Sequence, residues 1–261
     1  MWVEKLARFG YATKGAVYGL IGVLALMAAF GSGGKTTDTQ GALHTIAGQP
    51  FGQVLLIVIA IGLLGYALWR LVEAWKDPEH KGDDAQGIAT RLGYVTSGFI
   101  YAALSVNAAL IAFGSSGGSG GGSSRQTWTA RLMQQPFGRW LVGIVGAIVI
   151  GVGIYRIYKA YKIKFRKRLN LRELNQNQEQ WVVNICRFGI AARGVVFVML
   201  GFFVLQAAYQ SDPNEVRGLD GALQTLAQQP YGKILLGVAA LGLVAYAIYL
   251  VVQARYRRFK T

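Results

Sequence analysis

Acidic residues are scarce in this chain. Twelve aspartates and glutamates stand against 27 lysines and arginines, and charge occupies only 15% of 261 positions, where a soluble domain carries about 25%. No carboxylate falls in the middle of an apolar run. An ionisable group inside a membrane is costly and usually functional, so its absence speaks against proton- or cation-coupled transport. Cysteine occurs once, at Cys186, which excludes an internal disulfide framework and a cysteine-cluster metal site and leaves a small apolar filler. The two histidines are His44, on a short amphipathic segment, and His80, in the loop Asp77-Pro78-Glu79-His80-Lys81. Neither has a second histidine or cysteine at ligand spacing, so no metal site is expected, and the acidic loop around His80, with Asp83 and Asp84, reads as solvated. A Ser-His-Asp set, a phosphate-cradling glycine loop and a paired-carboxylate motif are missing too. No catalytic residue or cofactor is therefore expected, and the chain does not read as an enzyme.

What the chain has is apolar length. Hydrophobic residues make up 53% of it, in six runs at 12–30, 54–69, 95–113, 140–155, 190–208 and 234–252. Each approaches the roughly 20 residues that carry a helix across a 30 Å hydrocarbon core. Helices are the expected form, because lipid offers no partner to an unpaired backbone group. Lys5, Arg8 and Lys14 before the first run resemble a secretory leader. The same segment recurs twice inside the chain, so it reads as a first transmembrane helix.

That recurrence organises the sequence. Arg8-Phe9-Gly10 returns as Arg91-Leu92-Gly93 and Arg187-Phe188-Gly189. Lys14-Gly15 matches Ser97-Gly98 and Arg193-Gly194, and Gln49-Pro50-Phe51-Gly52 matches Gln135-Pro136-Phe137-Gly138 and Gln229-Pro230-Tyr231-Gly232. Downstream of the proline no gap is needed: Gly65, Gly151 and Ala245 align, as do Trp69, Tyr155 and Tyr249. Each unit reads as an outward helix, a polar loop, an amphipathic segment, a proline break and an inward helix. Ala42, Leu43, Ile46 and Ala47 form the apolar stripe of that segment, repeated by Ala222, Leu223, Leu226 and Ala227. Pro50, Pro136 and Pro230 suit the first turn of the following helix, where a missing N–H costs nothing.

The expected fold is an all-α integral membrane protein of six transmembrane helices, arranged as three parallel two-helix repeats around a pseudo-threefold axis, with an open row of repeats as the alternative. Residues 1–76 form the first repeat and 77–162 the second, which includes a Gly/Ser-rich loop at 114–124. Residues 163–181 form a basic connector, with a short surface helix near 170–174, and 182–261 the third repeat. Glycines such as Gly15, Gly19, Gly62, Gly65, Gly143, Gly146, Gly151 and Gly153 are the expected close-packing positions.

Basic residues sort by side. The segments 1–14, 70–91, 156–193 and 255–260 hold 21 of the 27 lysines and arginines. The positive-inside rule then puts both termini in the cytoplasm of a bacterial or thylakoid-type inner membrane. That topology accounts for the +15 net charge, so nucleic acid is not an expected partner and membrane lipids are.

At the tripled Arg-Phe-Gly, Lys-Gly and Gln-Pro-Phe-Gly signatures, over about residues 5–255, the chain resembles a bacterial membrane family known as domain of unknown function 1206. The resemblance implies three two-helix repeats and no assigned activity. Ser97, in place of the basic residue, makes the middle copy the most divergent. The leading functional expectation is a non-enzymatic accessory or structural protein that binds anionic lipid or another membrane protein; the alternative is a small-solute transporter or channel along the pseudo-axis. Arg8, Arg91 and Arg187, with Lys14 and Arg193, are the candidate anion-binding residues, set against simple snorkelling to the interface. Lys162, Lys164, Arg166, Lys167 and Arg168 are the candidate contact with headgroups or a partner. Glu73 is placed to pair with Arg70, and Ser105 and Asn107 are the polar groups nearest mid-membrane.

Overall fold

The structure, a computed structural model, describes residues 2–76, 84–114, 121–171 and 175–257. His80 with Asp77, Glu79 and Asp83, most of the Gly/Ser loop, and residues 172–174 lie outside the described residues. Six long helices are present: α1 Trp2–Ala29, α3 Gly52–Lys76, α4 Ala85–Ala112, α6 Gly138–Tyr161, α7 Gln176–Gln210 and α9 Gly232–Tyr256. Each is long and apolar enough to cross a membrane. Between them lie the short helices α2 Thr39–Ala47, α5 Gly121–Met133 and α8 Leu219–Gln228. The expected Gly/Ser loop is thus shorter than its composition implied, since α5 begins at Gly121. Ala42 and Leu43 of α2 and Ala222 and Leu223 of α8 have no exposed surface, so the first half of each amphipathic stripe faces protein, while Ala47 and Ala227 at its end are exposed.

The proline is not in the first turn of the following helix. In each repeat it occupies the second position of a four-residue turn closed by a hydrogen bond from the glycine N–H to the glutamine carbonyl, Gly52 to Gln49 at 2.9 Å, Gly138 to Gln135 at 2.9 Å and Gly232 to Gln229 at 2.8 Å. The third position then needs a positive φ, and Phe51, Phe137 and Tyr231 adopt it at 61°, 64° and 62°. A left-handed aromatic residue is uncommon. Here the turn exposes all three rings, at 79–83% of their surface, where aromatic side chains favour a membrane–water interface. The glycine is obligatory, because a Cβ at Gly138 would lie 1.8 Å from the Leu132 carbonyl oxygen.

The second helix of each repeat packs on the first helix of the next: α3 on α4, α6 on α7, and α9 back on α1. Three equivalent contacts therefore join the repeats, and with those inside the first and third repeats the helices follow one another in the order α4, α3, α1, α9, α7, α6. The three equivalent contacts are made of small residues two turns apart. A Cβ at Gly15, Gly98 or Gly194 would meet the carbonyl oxygen of Ala247, Ala67 or Gly153 at 3.2, 3.4 or 2.9 Å. These three acceptors share one repeat position. At the next such position Gly22 faces the Ala240 carbonyl and Gly201 that of Gly146, while Ser105 donates to the Ala60 carbonyl at 2.7 Å. Ser105 is thereby helix-to-helix glue.

Within repeats the symmetry fails. α1 packs on α3 and α7 on α9, but α4 and α6 make no comparable contact among the described residues. Gly10 backs onto Tyr66 and Gly189 onto Tyr246, so close that an added Cβ would lie 2.5 or 2.3 Å from the backbone nitrogen. The equivalent Gly93 meets nothing within 4 Å, and neither does Gly151, the counterpart of the tightly packed Gly65. The helix order thus has one open seam, between α4 and α6 of the middle repeat.

Alanine at Gly10 or Gly189 is expected to destabilise the fold by about 1–3 kcal/mol through overpacking. Alanine at Gly93 should be neutral or stabilising by up to about 1 kcal/mol, from helix propensity alone. Unfolding in mixed micelles, followed by circular dichroism, separates the three; an equal loss at Gly93 would mean that the seam is closed.

Candidate functional site

The tripled arginines sit at helix ends. Arg8 Nη1 donates to the carbonyls of Ala254, at 2.8 Å, and Arg255, and its Nη2 reaches Glu4 at 2.8 Å. Arg91 Nε donates to the Ala74 carbonyl at 2.8 Å. Ala74 and Ala254 are the same repeat position, in the last turns of α3 and α9. Arg187 lies 5.7 Å from the ring of Tyr161, the last residue of α6. Terminal carbonyls have no intrahelical donor and carry the negative end of the helix dipole. A cation from another repeat satisfies both needs, so Arg8 and Arg91 lock one repeat to another, while Arg187 makes a ring contact at the equivalent place.

The connector packs against the same end. Phe165 is fully buried in a 3₁₀ turn, Lys164–Arg168, and its ring lies 5.9 Å from that of Tyr249. Leu169 and Leu171 are also buried, and the Asn170 N–H donates to the Tyr256 carbonyl at 2.7 Å. Asn170 and Leu171 are accordingly not helical, and the rest of the expected surface helix, 172–174, lies outside the described residues. Of the basic residues, Lys162 and Lys164 lie over Tyr161 and Tyr158, and Arg166 pairs with Glu179 at 2.6 Å. The side chains of Lys167 and Arg168 lie outside the described residues.

Lys14 and Arg193 are elsewhere altogether. They occupy the middle of α1 and of α7, with 4% and 7% of their surface exposed, so neither snorkels. Lys14 Nζ donates to the Tyr66 hydroxyl at 2.9 Å and lies 4.2 Å from the centroids of Tyr66 and Tyr101. Arg193 is sandwiched at 4.3 Å from Tyr18 and 4.4 Å from Tyr246, and its Nε has no acceptor. The electrostatic neighbours of Lys14 include Arg193, Arg70 and Arg156. Arg70 donates to the same Tyr66 hydroxyl at 2.7 Å. Arg156 stacks 4.9 Å from Phe197, again with an unaccepted Nε. Arg70 and Arg156 are one repeat position, a signal that the ungapped alignment downstream of the proline already contained.

Among the described residues the buried charged ones are Lys14, Arg193, Arg257 and Glu73. Glu73 pairs with Arg70, as its spacing predicts, at 2.8 Å, and also with Arg257, which bonds the Tyr11 hydroxyl. Lys14, Arg156 and Arg193 have no carboxylate partner there. Among the described residues the bundle interior thus holds Lys14, Arg70, Arg156, Arg193 and Arg257 against the single carboxylate of Glu73, which pairs with two of them. Asn107 Oδ1 is buried with no donor, and Cys186 is buried.

Similar proteins agree with this layout. A family model described as Domain of Unknown Function (DUF1206) matches residues 9–77, 92–162 and 188–257, one match per repeat, and the chain belongs to that family. The uncharacterized protein YxxB of Bacillus subtilis (strain 168) is 39% identical over 256 residues, covering 98% of this chain and 92% of its own. No solved structure matches.

Replacing Glu73 by Gln leaves Arg257 buried beside a neutral amide and is expected to lower stability by roughly 3–5 kcal/mol. Adding Arg257→Met should recover part of that loss. Micelle unfolding of the single and double variants measures both, and additive losses would show that the pair is not coupled.

Proposed function

We propose that this member of the DUF1206 family is a non-enzymatic accessory or structural protein of the bacterial cytoplasmic membrane that binds an anionic lipid. Both termini face the cytoplasm in this reading. The observation that carries it is the surplus of cations over carboxylates inside the bundle: Lys14, Arg156 and Arg193 are left over after Glu73 has taken Arg70 and Arg257. A cation held in hydrocarbon is unfavourable by about 2.5–3.5 kcal/mol on insertion scales. Tyrosine faces return about 2 kcal/mol when desolvated, and a phosphate supplies both the missing charge and an acceptor for the arginine Nε atoms.

Orientation is supported by the basic residues of the terminal-side segments other than Lys14, Arg70, Arg156, Arg193 and Arg257, which lie inside the bundle; a cytoplasmic leaflet of anionic lipid attracts such residues. A solute path along the axis is less well supported. Phe165 and Leu169 pack against the terminal end of the bundle, and Leu43 and Leu223 are fully or nearly fully buried at the other.

Purified protein in mild detergent, titrated with phosphatidylglycerol or phosphatidylcholine and weighed intact, tests the reading. Wild type should retain phosphatidylglycerol with about tenfold preference or more, equivalent to one charge-assisted contact. The Lys14→Met/Arg193→Met variant should lose it, and neutralising Lys162, Lys164, Arg166, Lys167 and Arg168 should remove only a salt-sensitive part. Equal retention of the two lipids overturns the proposal, and a co-purifying protein in their place redirects it to a protein partner.

A further inference from the structure

The seam in the middle repeat is written into the sequence. In the first repeat Leu6, Gly10 and Thr13 of α1 face Gly62, Gly65 and Tyr66 of α3. The glycine at 62 matters most: an added Cβ would lie 2.0 Å from Thr13 Oγ1. The third repeat keeps it as Gly242, where an added Cβ would lie 2.2 Å from that of Ala192. The middle repeat puts Ile148 at this position and threonine, Thr96, opposite it. A branched side chain cannot occupy a contact that rejects even a methyl group. Ala89, Gly93, Thr96, Ile148, Gly151 and Val152 are consequently all exposed, whereas Gly10, Thr13, Gly62, Gly65 and Tyr66 are buried.

The seam is apolar where the other two contacts carry a tyrosine. Val152 stands at the position of Tyr66 and Tyr246, and Gly93 and Gly151 leave open space on both walls. One helical turn from Val152, on the same face of α6, is the half-buried Arg156 with its unaccepted Nε. Behind it lie Lys14 and Arg193. An apolar slot in the hydrocarbon, ending at a cation cluster that lacks counter-charge, has the chemistry of one amphiphile. We propose that the seam between α4 and α6 is a lateral portal occupied by one acyl chain of an anionic phospholipid, whose phosphate is held by Arg156 with Arg193 and Lys14 behind it. This rests on the anionic-lipid reading above and adds the place, the orientation and the chain.

The test substitutes a photoreactive benzoylphenylalanine for Val152 or, as a lipid-facing comparison, for the exposed Val58 of α3. The full chain is placed in phosphatidylcholine vesicles with phosphatidylglycerol as the minority lipid, irradiated, and the adducts are weighed. Position 152 should capture phosphatidylglycerol about tenfold above its share of the bilayer, and position 58 only in proportion to it. Arg156→Leu should bring position 152 down to the bulk ratio. Gly151→Leu, which fills the slot without touching a cation, should abolish phosphatidylglycerol retention in detergent while the unfolding midpoint stays near wild type. Bulk-ratio capture at 152 with retention intact overturns the portal but leaves the lipid reading standing; loss of retention in the wild type removes both. Inorganic phosphate that competes as well as the lipid assigns the cations to a free anion and also overturns the portal.

Discussion

Helices in hydrocarbon gain nothing from hiding apolar surface from one another, since lipid tails are as apolar as leucine; close approach of backbones has to hold them together. Here the approach is made by small residues seven positions apart, Gly15 with Gly22, Gly98 with Ser105 and Gly194 with Gly201, each seated on a carbonyl of the preceding repeat. Two turns keep them on one helix face. The arginine caps act between the same pairs of repeats, Arg8 on the end of α9 and Arg91 on the end of α3. Every junction between repeats is thus fixed at mid-height by packing, and two of the three also at the terminal end by an arginine on helix carbonyls, while Arg187 lies over the Tyr161 ring at the third. Variation is left to the contact inside a repeat.

That freedom is used once. The first and third repeats close on themselves through a glycine against a tyrosine backbone, and the middle one does not. Because α4 is held by α3 and α6 by α7, the missing contact between α4 and α6 costs only that contact. The remaining walls stay where the junctions put them.

Much of this was legible in the chain. Six runs, three units, the ungapped register after the proline and the Glu73–Arg70 pair all follow from spacing, and spacing survives folding. What spacing does not carry is azimuth. Lys14 and Arg193 sit near the basic starts of their helices in sequence, so an interfacial ring was the natural expectation, yet each points into the bundle among tyrosines from other helices. The proline likewise read as a first-turn residue, because nothing in its neighbours announces a left-handed aromatic. Arg257 pairs with a carboxylate 184 positions away, a contact no local pattern encodes. The seam was half legible: Gly93 and Gly151 look like their packed counterparts, and only Ile148 in place of Gly62 and Gly242 betrays the difference.

The cations and the seam follow one rule. Lys14 is held by Tyr66 and Arg193 by Tyr246, in each case a first-helix cation on the tyrosine of its own repeat. Where the middle repeat would place the third such pair it has Ser97 and Val152. Both members are lost together. An interior cation without an aromatic face would bear the full desolvation penalty, and a tyrosine hydroxyl without a cation would be left facing lipid with no partner. Replacing both makes the open side of the bundle apolar while the two closed sides keep their charge. A bound anion would therefore meet cations from the closed repeats and hydrocarbon from the open one, which is the order in which a phospholipid presents its phosphate and its chain.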